Sequence, residues 1–464
     1  MLWNETDLLA ATGGRFETNP VTIQANGVSI DSRTLQKGDI FIAISGDKND
    51  GHLYVQKALQ AGAACAIVSQ PIDNVPNDRL LFVKDTMQAL TDMGHYARAR
   101  FKGKVIAITG SVGKTTTKEM LRIALTPFGK VHAAVGSYNN HLGVPLTLSR
   151  LSPDDDFCIC EIGMNHPGEI APLAHMVRPD IAIITEVASA HLGQMGSLDS
   201  IAEEKSQILT ALPAQAFALI PENIHGLSLF EKQAQQFHIH LAKVGLSENS
   251  LIQITKTTLQ CHKSNFEIFC SGLAISAHLS SPGNHLIRNA ALCLGVAFLL
   301  HLGMQKAALA LADFKVGPGR GQLLPLAHKE GMILDESYNA STLSIHSALA
   351  TLRLIPSTRR IVILGDILEL GEHALQEHLS LLADISTTAN LLFCCGDFMK
   401  YLFEEMPLTQ RGVWCQHAEE LIPHIETILA NGDTLLVKGS HSMHMNKIVQ
   451  HFAAPIKDQQ NDAL

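Results

Sequence analysis

The chain has little with which to enter a membrane or a secretory route. Its longest apolar run, residues 290–300, is 11 residues, against the roughly 20 that cross a bilayer. A buried helix is expected there, with no stable membrane insertion. The first ten residues lack a basic segment followed by an apolar core, so no signal peptide is expected and the cytoplasm is the expected compartment. Cysteine is not scarce at nine, but metal-binding spacing is. Cys158 and Cys160 alternate inside an apolar run, where strand geometry puts both on one face of a core. An odd cysteine count without a framework favours a reducing environment. Positive charge is also in short supply. With 35 Lys and Arg against 44 Asp and Glu the net charge is −9, which argues against nucleic acid as a partner.

What is present is a globular composition, 46% apolar and 17% charged. At about 100–200 residues per domain, 464 residues suggest about three. Short apolar runs at 39–44 and 64–69, and a helix over 86–100, define a first unit ending in a basic joint, which sets an expected boundary at residue 102. A second unit, 103–316, opens on a continuous branched strand at 104–110. Further strands are expected at 157–161, 180–185 and 216–220, antiparallel strands within 251–279, and a helix over 285–304. A third unit, 317–464, follows a Gly/Pro-rich joint that is expected to hinge. It repeats an apolar strand running into a polar turn near 331–337, 360–366, 391–397 and 434–440. A helix is expected over 417–430, closed by Gly432. Strands alternating with helices make the fold class α/β, built on mostly parallel sheets.

The sharpest local signal runs from Ile108 through Gly110, Ser111, Gly113, Lys114, Thr115, Thr116 and Thr117. A strand, a glycine turn and a helix start aim backbone N–H groups and the positive end of a helix at phosphate oxygens. In such a loop Lys114 reaches the β and γ phosphates and Thr115 ligates Mg²⁺. The spacing is G-x-x-G-K-T, shorter at its front than the full phosphate-loop pattern, with Ile108 where the first glycine would stand. Glu161, at the end of a buried strand, is placed to hold a hard cation, or else faces solvent. Taken alone, His191 reads equally as a hydrogen-bonded loop residue. Lys205 reads as a surface lysine that Glu203 and Glu204 could pair.

Together these segments resemble the ATP-dependent Mur ligases along essentially the whole chain. Ser32, Arg33, Gly46, Asp50 and His52 lie in a stretch similar to the family's UDP-sugar-binding segment. The phosphate loop, Asn139-Asn140, the segment from Glu161, and the His191 to Lys205 spacing follow. Pro318-Gly319-Arg320, Ser337-Tyr338-Asn339-Ala340, Gly365-Asp366 through Glu369-Leu370-Gly371, and Lys438-Gly439-Ser440 complete the series. The resemblance implies a small N-terminal UDP-binding domain, a central P-loop-type ATPase domain and a C-terminal Rossmann-like domain. It also implies an enzyme of the bacterial cytoplasm, acting as a monomer in peptidoglycan precursor synthesis and so in cell shape and division. The Ser-Tyr-Asn-Ala and Gly-Asp-x-x-Glu-Leu-Gly signatures point to the member that joins D-alanyl-D-alanine to UDP-N-acetylmuramoyl-tripeptide.

Residue by residue, the resemblance implies ATP at Gly110, Ser111, Gly113, Lys114, Thr115 and Thr116, with Asn289 at the adenine, Glu336 at the ribose and Arg320 at the phosphates. One Mg²⁺ would sit on Thr115 and Glu161, and a second on His191 and a carbamylated Lys205. Asn139 and Asn140 go with the UDP-linked substrate, and Tyr338, Asn339, Asp366 and Lys438 with the peptides. Lys114, His191 and Lys205 form the implied catalytic set. Glu336 stands where relatives usually have Asp, Leu286 where they often have Asn, Glu186 where Asn is common, and His441 where Arg is frequent. Two alternatives stay open: a ligase of the same superfamily with another acceptor, and a nucleotide-controlled switch.

Overall fold

The computed structural model describes residues 1–18, 20, 22–46 and 49–455. Part of the loop expected at 46–52 and the end of the third unit, 456–464, therefore lie outside the described residues. Three sheet-centred units follow one another along the chain, beside a two-stranded pair of Trp3–Asn4 with Gln24–Ala25.

The first unit carries five strands in the order Arg15–Phe16, Leu80–Phe82, Cys65–Val68, Asp39–Ile42, Gly27–Ser29, all parallel except the first pair. The helix Thr86–Arg100 falls where expected. The Asp85 carboxylate accepts from the Met87 and Gln88 N–H groups at its start, and Arg98 and Arg100 sit in its last turn, where the helix dipole favours cations. Those arginines explain the basic joint. Arg98 donates to the Val177 and Arg178 carbonyls, and Arg100 to the Leu2 carbonyl. With Trp3 donating to the Ser149 carbonyl and Arg150 to that of Val28, Arg98 clasps the first unit onto the second, while Arg100 ties down the start of the first unit itself.

The central sheet has nine strands. Its parallel part is ordered His240–Gly245, Phe217–Pro221, Ile181–Ile184, Lys104–Thr109, Phe157–Glu161, Val131–Ala133. Alternate side chains feed cores on the two faces: Val105, Ala107, Cys158 and Cys160 on one, and Ile106, Ile108, Phe157 and Ile159 on the other. The paired cysteines are thus core residues, and all nine cysteines are free. Ile252–Gln260, Lys263–Cys270 and Leu273–Leu279 extend the sheet as an antiparallel ribbon at the Gly245 end. The long apolar run lies in the buried helix Asn284–Leu299. This helix is shorter than expected, because His301 turns left-handed at φ +56° before a second helix, Met304–Ala310.

The third sheet is ordered Gln322–Pro325, Gly331–Glu336, Asp433–Lys438, Arg359–Gly365, Leu391–Cys395, Arg411–Cys415, parallel after the first pair. Here Gly432 does not close a helix. The helix ends at Ile428 with Leu429 beyond it. Gly432, at φ +84°, turns the chain into the next strand, where its N–H reaches the Glu330 carbonyl. Among the described residues no helix is long and apolar enough to cross a membrane.

Ile159 sits between Ile106 and Ala133 with no exposed surface. Ile159→Ala is expected to destabilise the central unit by about 2–5 kcal/mol, the usual range for such a cavity. A lowered thermal midpoint in calorimetry of the full chain would show it.

Candidate active site

The carboxyl ends of the parallel strands in the second and third units open onto one cavity of about 420 Å³. From the central sheet, Lys104–Thr109 runs into the glycine turn, Phe157–Glu161 ends on Glu161, and Ile181–Ile184 leads to Glu186. From the third sheet, Gly331–Glu336 and Asp433–Lys438 end on Glu336 and Lys438.

The turn has the geometry the sequence calls for. Gly110 and Gly113 hold φ of +149° and +84°, and a Cβ on Gly110 would sit 2.0 Å from the Thr185 hydroxyl, so only glycine fits. The Ser111 N–H donates to the Glu186 carbonyl, and the Ser111 hydroxyl bridges the Ala188 backbone. The helix Lys114–Leu125 starts with no side-chain cap, so its first N–H groups belong to the cavity. Lys114 folds back to the Gly110 carbonyl at 2.6 Å. Burial lowers its pKa, with Arg320 adding to that and Glu161 opposing it.

A relay of hydroxyls links the two units. Arg320 (3.1 Å) and Tyr338 (3.3 Å) both donate to Ser137 Oγ. Ser137 lies 3.0 Å from Thr115 Oγ1, which donates to Glu161 Oε2 at 2.9 Å. With the Thr115 proton on Glu161, Ser137 is left as the donor to Thr115. Asn139 Nδ2 holds the other oxygen of Glu161 at 2.7 Å. The Arg320 guanidinium also lies over the Tyr338 ring, 3.8 Å from its centroid. Lys438 bridges Glu336 Oε2, at 3.1 Å, and the Asn339 carbonyl.

Gly113, Ser111, Lys114, Thr115, Thr116, Asn139, Asn140, Glu161, His191, Asn289, Arg320, Glu336, Tyr338, Asn339 and Lys438 thus meet at one cavity. Asn140 does so while its side chain caps the Leu142 and Gly143 N–H groups. Lys205 is buried behind the cavity rather than at its surface. Neither Glu203 nor Glu204 pairs with it. The Glu204 carboxylate instead accepts from the Gly168 and Ile170 N–H groups at the start of the helix Ile170–Val177. Burial and the nearby Lys114 charge push the Lys205 pKa well down. Burial also lowers that of His191, whose Nδ1 lies 2.5 Å from Glu369 Oε2.

Other expected site residues lie elsewhere. The Asp366 carboxylate accepts from the Phe398 and Met399 N–H groups, capping the helix Asp397–Glu405 outside the cavity lining. Ser32, Arg33, Gly46, Asp50 and His52 belong to the first unit. Arg33 pairs with Asp31, and both His52 ring nitrogens are engaged, by Asp50 (2.6 Å) and by the Ser69 N–H (3.0 Å). A second cavity of about 410 Å³, lined by Arg15, Ser69, Gln70, Phe82 and Lys84 among others, contains none of these five; Ser69 and Gln70 connect it to His52 and Asp50.

The departures are accommodated. Glu186 pairs with Arg288 at 3.1 Å, and burial raises its pKa. Leu286 is buried in the core beside the central sheet. The His441 N–H donates to Asn339 Oδ1. Sequence reasoning missed Ser137 and Lys118, and gave Glu369 no role. Lys118 is fully buried, and its ammonium donates to the Ala134 and Gly136 carbonyls, fixing the loop that carries Ser137 and Asn139. Its place one turn after Lys114 was the available signal.

Among the described residues no three His, Cys, Asp or Glu side chains form a metal cluster. Thr115 and Glu161 nevertheless suit magnesium bound chiefly by phosphates, which takes only one or two protein oxygens and keeps several waters.

Comparison with known proteins agrees with this architecture. Three family models match in succession: the Mur ligase family catalytic domain at 24–97, the Mur ligase middle domain at 108–297, and the Mur ligase glutamate ligase domain at 319–441. A UDP-N-acetylmuramoyl-tripeptide–D-alanyl-D-alanine ligase of Rickettsia prowazekii is 30% identical over 97% of this chain and 100% of its own length. The Escherichia coli ligase of the same name is 30% identical over 96% of each chain. A crystal structure of MurF from Acinetobacter baumannii superposes with a TM-score of 0.85 at 29% identity, covering 97% of this chain and 98% of that one. Phosphate loop, facing carboxylate and three-sheet plan converge on one answer: the chain belongs to the Mur ligase family of ATP-dependent, amide-forming ligases.

Proposed function

We propose that this enzyme joins D-alanyl-D-alanine to UDP-N-acetylmuramoyl-tripeptide at the expense of ATP, in peptidoglycan precursor synthesis. The observation that carries the reading is the single cavity in which Lys114, Thr115, Glu161 and His191 face Arg320, Glu336 and Lys438. Units at 1–102, 103–316 and 317–464 would divide the work. The first would hold the UDP end, which its own cavity beside Asp50 and His52 favours. The second would hold ATP and the third the acceptor. Both halves of the main cavity come from one chain, which favours a monomer. Nine free cysteines suit the cytoplasm.

A carboxylate resists attack because of its charge. An oxygen of the tripeptide carboxylate attacks the γ-phosphorus, the bond to ADP breaks, and an acyl phosphate results. The dipeptide amine then attacks the acyl carbon. The C–N bond forms, the amine gives up a proton, and phosphate departs with the C–O bond. Both steps crowd anions together, so Lys114 and Arg320 would act by neutralising charge in a water-poor site. Thr115 and Glu161 would hold one magnesium ion, and His191 with a carbamylated Lys205 a second, supplying further neutralisation when bound. Only a neutral amine adds to CO₂, and the depressed pKa of Lys205 favours that form. The carbamate would then turn a repelling cation into an oxygen ligand. Asn289, in the cavity beside Gly113, suits a role at the adenine, and Glu336 one at the ribose. Gly319 and Gly321 are tied to Asp335, so bending at the joint would fall on the Gly317 side.

ADP release across a matrix of UDP-muramoyl peptides and D-amino dipeptides, with intact product mass, tests the substrate reading. Release that depends on both peptides is expected; release independent of them would favour a switch. Lys205→Ala is expected to cut turnover by about 10²–10³-fold, as loss of a transition-state stabiliser does, with partial recovery in added short-chain carboxylic acids. Full activity in that variant would remove the carbamate. Ser137→Ala takes away one relay hydroxyl, worth about 0.5–1.5 kcal/mol of stability, so the melting temperature should fall slightly, and kcat up to about tenfold.

A further inference from the structure

The His191 ring is approached from across the cavity. Glu369, whose Oε2 lies 2.5 Å from His191 Nδ1, comes from the third unit, between the strand Arg359–Gly365 and the short turn of helix Gly371–His373. The atoms are close, but ring and carboxylate are not in line, so Nδ1 has no aligned hydrogen bond. Three further observations show that the meeting is built into the backbone. The Gly193 N–H donates to the Glu369 carbonyl at 2.8 Å. A Cβ on Gly193 would stand 2.7 Å from Gly371 N, and one on Gly371 2.8 Å from Gly193 Cα, so the two backbone segments touch where only glycine permits it. Glu369 itself holds φ +65°, a left-handed conformation that a non-glycine residue keeps when its surroundings impose it. Around this seam Leu192 and Met195 from the second unit, and Ile367 and Leu370 from the third, belong to one continuous buried cluster.

We propose that Glu369 is a positioning residue for His191, supplied by the third unit only when that unit is docked. A turn of the ring brings Nδ1–H into line with the carboxylate already beside it, which fixes the imidazole and leaves Nε2 to hold a divalent cation. This rests on the reading of His191 as a metal ligand. Carboxylates orient metal-binding histidines in this way in many proteins, and their loss weakens metal binding by about 10–100-fold. What distinguishes this chain is the origin of the carboxylate. Coming from the acceptor side, it ties assembly of the cation site to arrival of the unit that would bring the amine. Phosphoryl transfer is thereby held back until the acyl phosphate has a nucleophile to meet.

The test is Mn²⁺ binding by the full-length chain in the presence of ADP, followed by the electron paramagnetic resonance signal of free Mn²⁺. His191→Ala is expected to abolish one binding event. Glu369→Gln should weaken that same event by about 10–100-fold and leave ADP affinity and melting temperature as in the parent. Gly193→Val keeps the carboxylate but forces the seam apart, and should weaken it too. Loss in His191→Ala with unaltered binding in Glu369→Gln overturns this inference alone. Weakening in Glu369→Gln but not in Gly193→Val overturns the docking requirement. Unaltered binding in His191→Ala overturns both this inference and the reading beneath it.

Discussion

Everything at this site depends on like charges being held close together in a partly buried space. Lys114, Arg320 and Lys205 lie near enough that Lys114 depresses Lys205 and Arg320 depresses Lys114. Two unit charges 4 Å apart interact by about 1 kcal/mol in water and about 4 kcal/mol at an effective dielectric of 20. Such a cluster therefore opposes folding, and Glu161 relieves only part of it. A polyanion entering between these groups gains what the protein alone forgoes. Affinity for triphosphate and low intrinsic comfort of the site are two views of one arrangement.

The arrangement is kept in place by small residues more than by large ones. Ser137 receives Arg320 and Tyr338 from the third unit and passes a hydrogen bond to Thr115 in the second. Lys118 spends its buried charge on two backbone carbonyls of the loop that bears Ser137. A buried ammonium is costly unless it is paired; Glu119 at 3.1 Å and the two carbonyls satisfy this one, and what it secures is the register of that loop against the phosphate helix.

Most of the fold was legible because continuous branched strands and capped helices signal through local pattern. The strand Phe157–Glu161 and the helix Thr86–Arg100 match their sequence bounds for that reason. Strands such as Arg411–Cys415 and Val131–Ala133 were not legible: short, half-buried and at sheet edges, they are strands through their partners rather than their composition. In the site, glycine and lysine positions in the phosphate turn declared themselves, since their chemistry needs fixed spacing. Ser137 did not, because a serine acquires its role from neighbours over 180 residues away. Lys205 looked like a surface lysine flanked by glutamates until Glu204 was seen to cap a different helix. Asp366 shows the converse, a conspicuous motif carboxylate whose visible work is to start the helix Asp397–Glu405.

The clasp between the first and second units differs in kind from the seam between the second and third. Trp3, Arg98 and Arg150 each reach across to a main-chain carbonyl, whereas the other boundary is made by hydrogen bonds to a hydroxyl, a glycine contact and a shared apolar cluster. Rotation at the first boundary would strip Arg98 and Arg150 of fixed acceptors at once; at the second, water can take over the hydrogen bonds to Ser137, but the apolar cluster of Leu192, Met195, Ile367 and Leu370 would be opened. The two boundaries therefore resist opening for different reasons, one polar and one largely apolar. A long substrate spanning all three units would be anchored at its nucleotide end on a frame held by charged donors, while its reactive end lies where opening exposes apolar surface and so favours the shut arrangement.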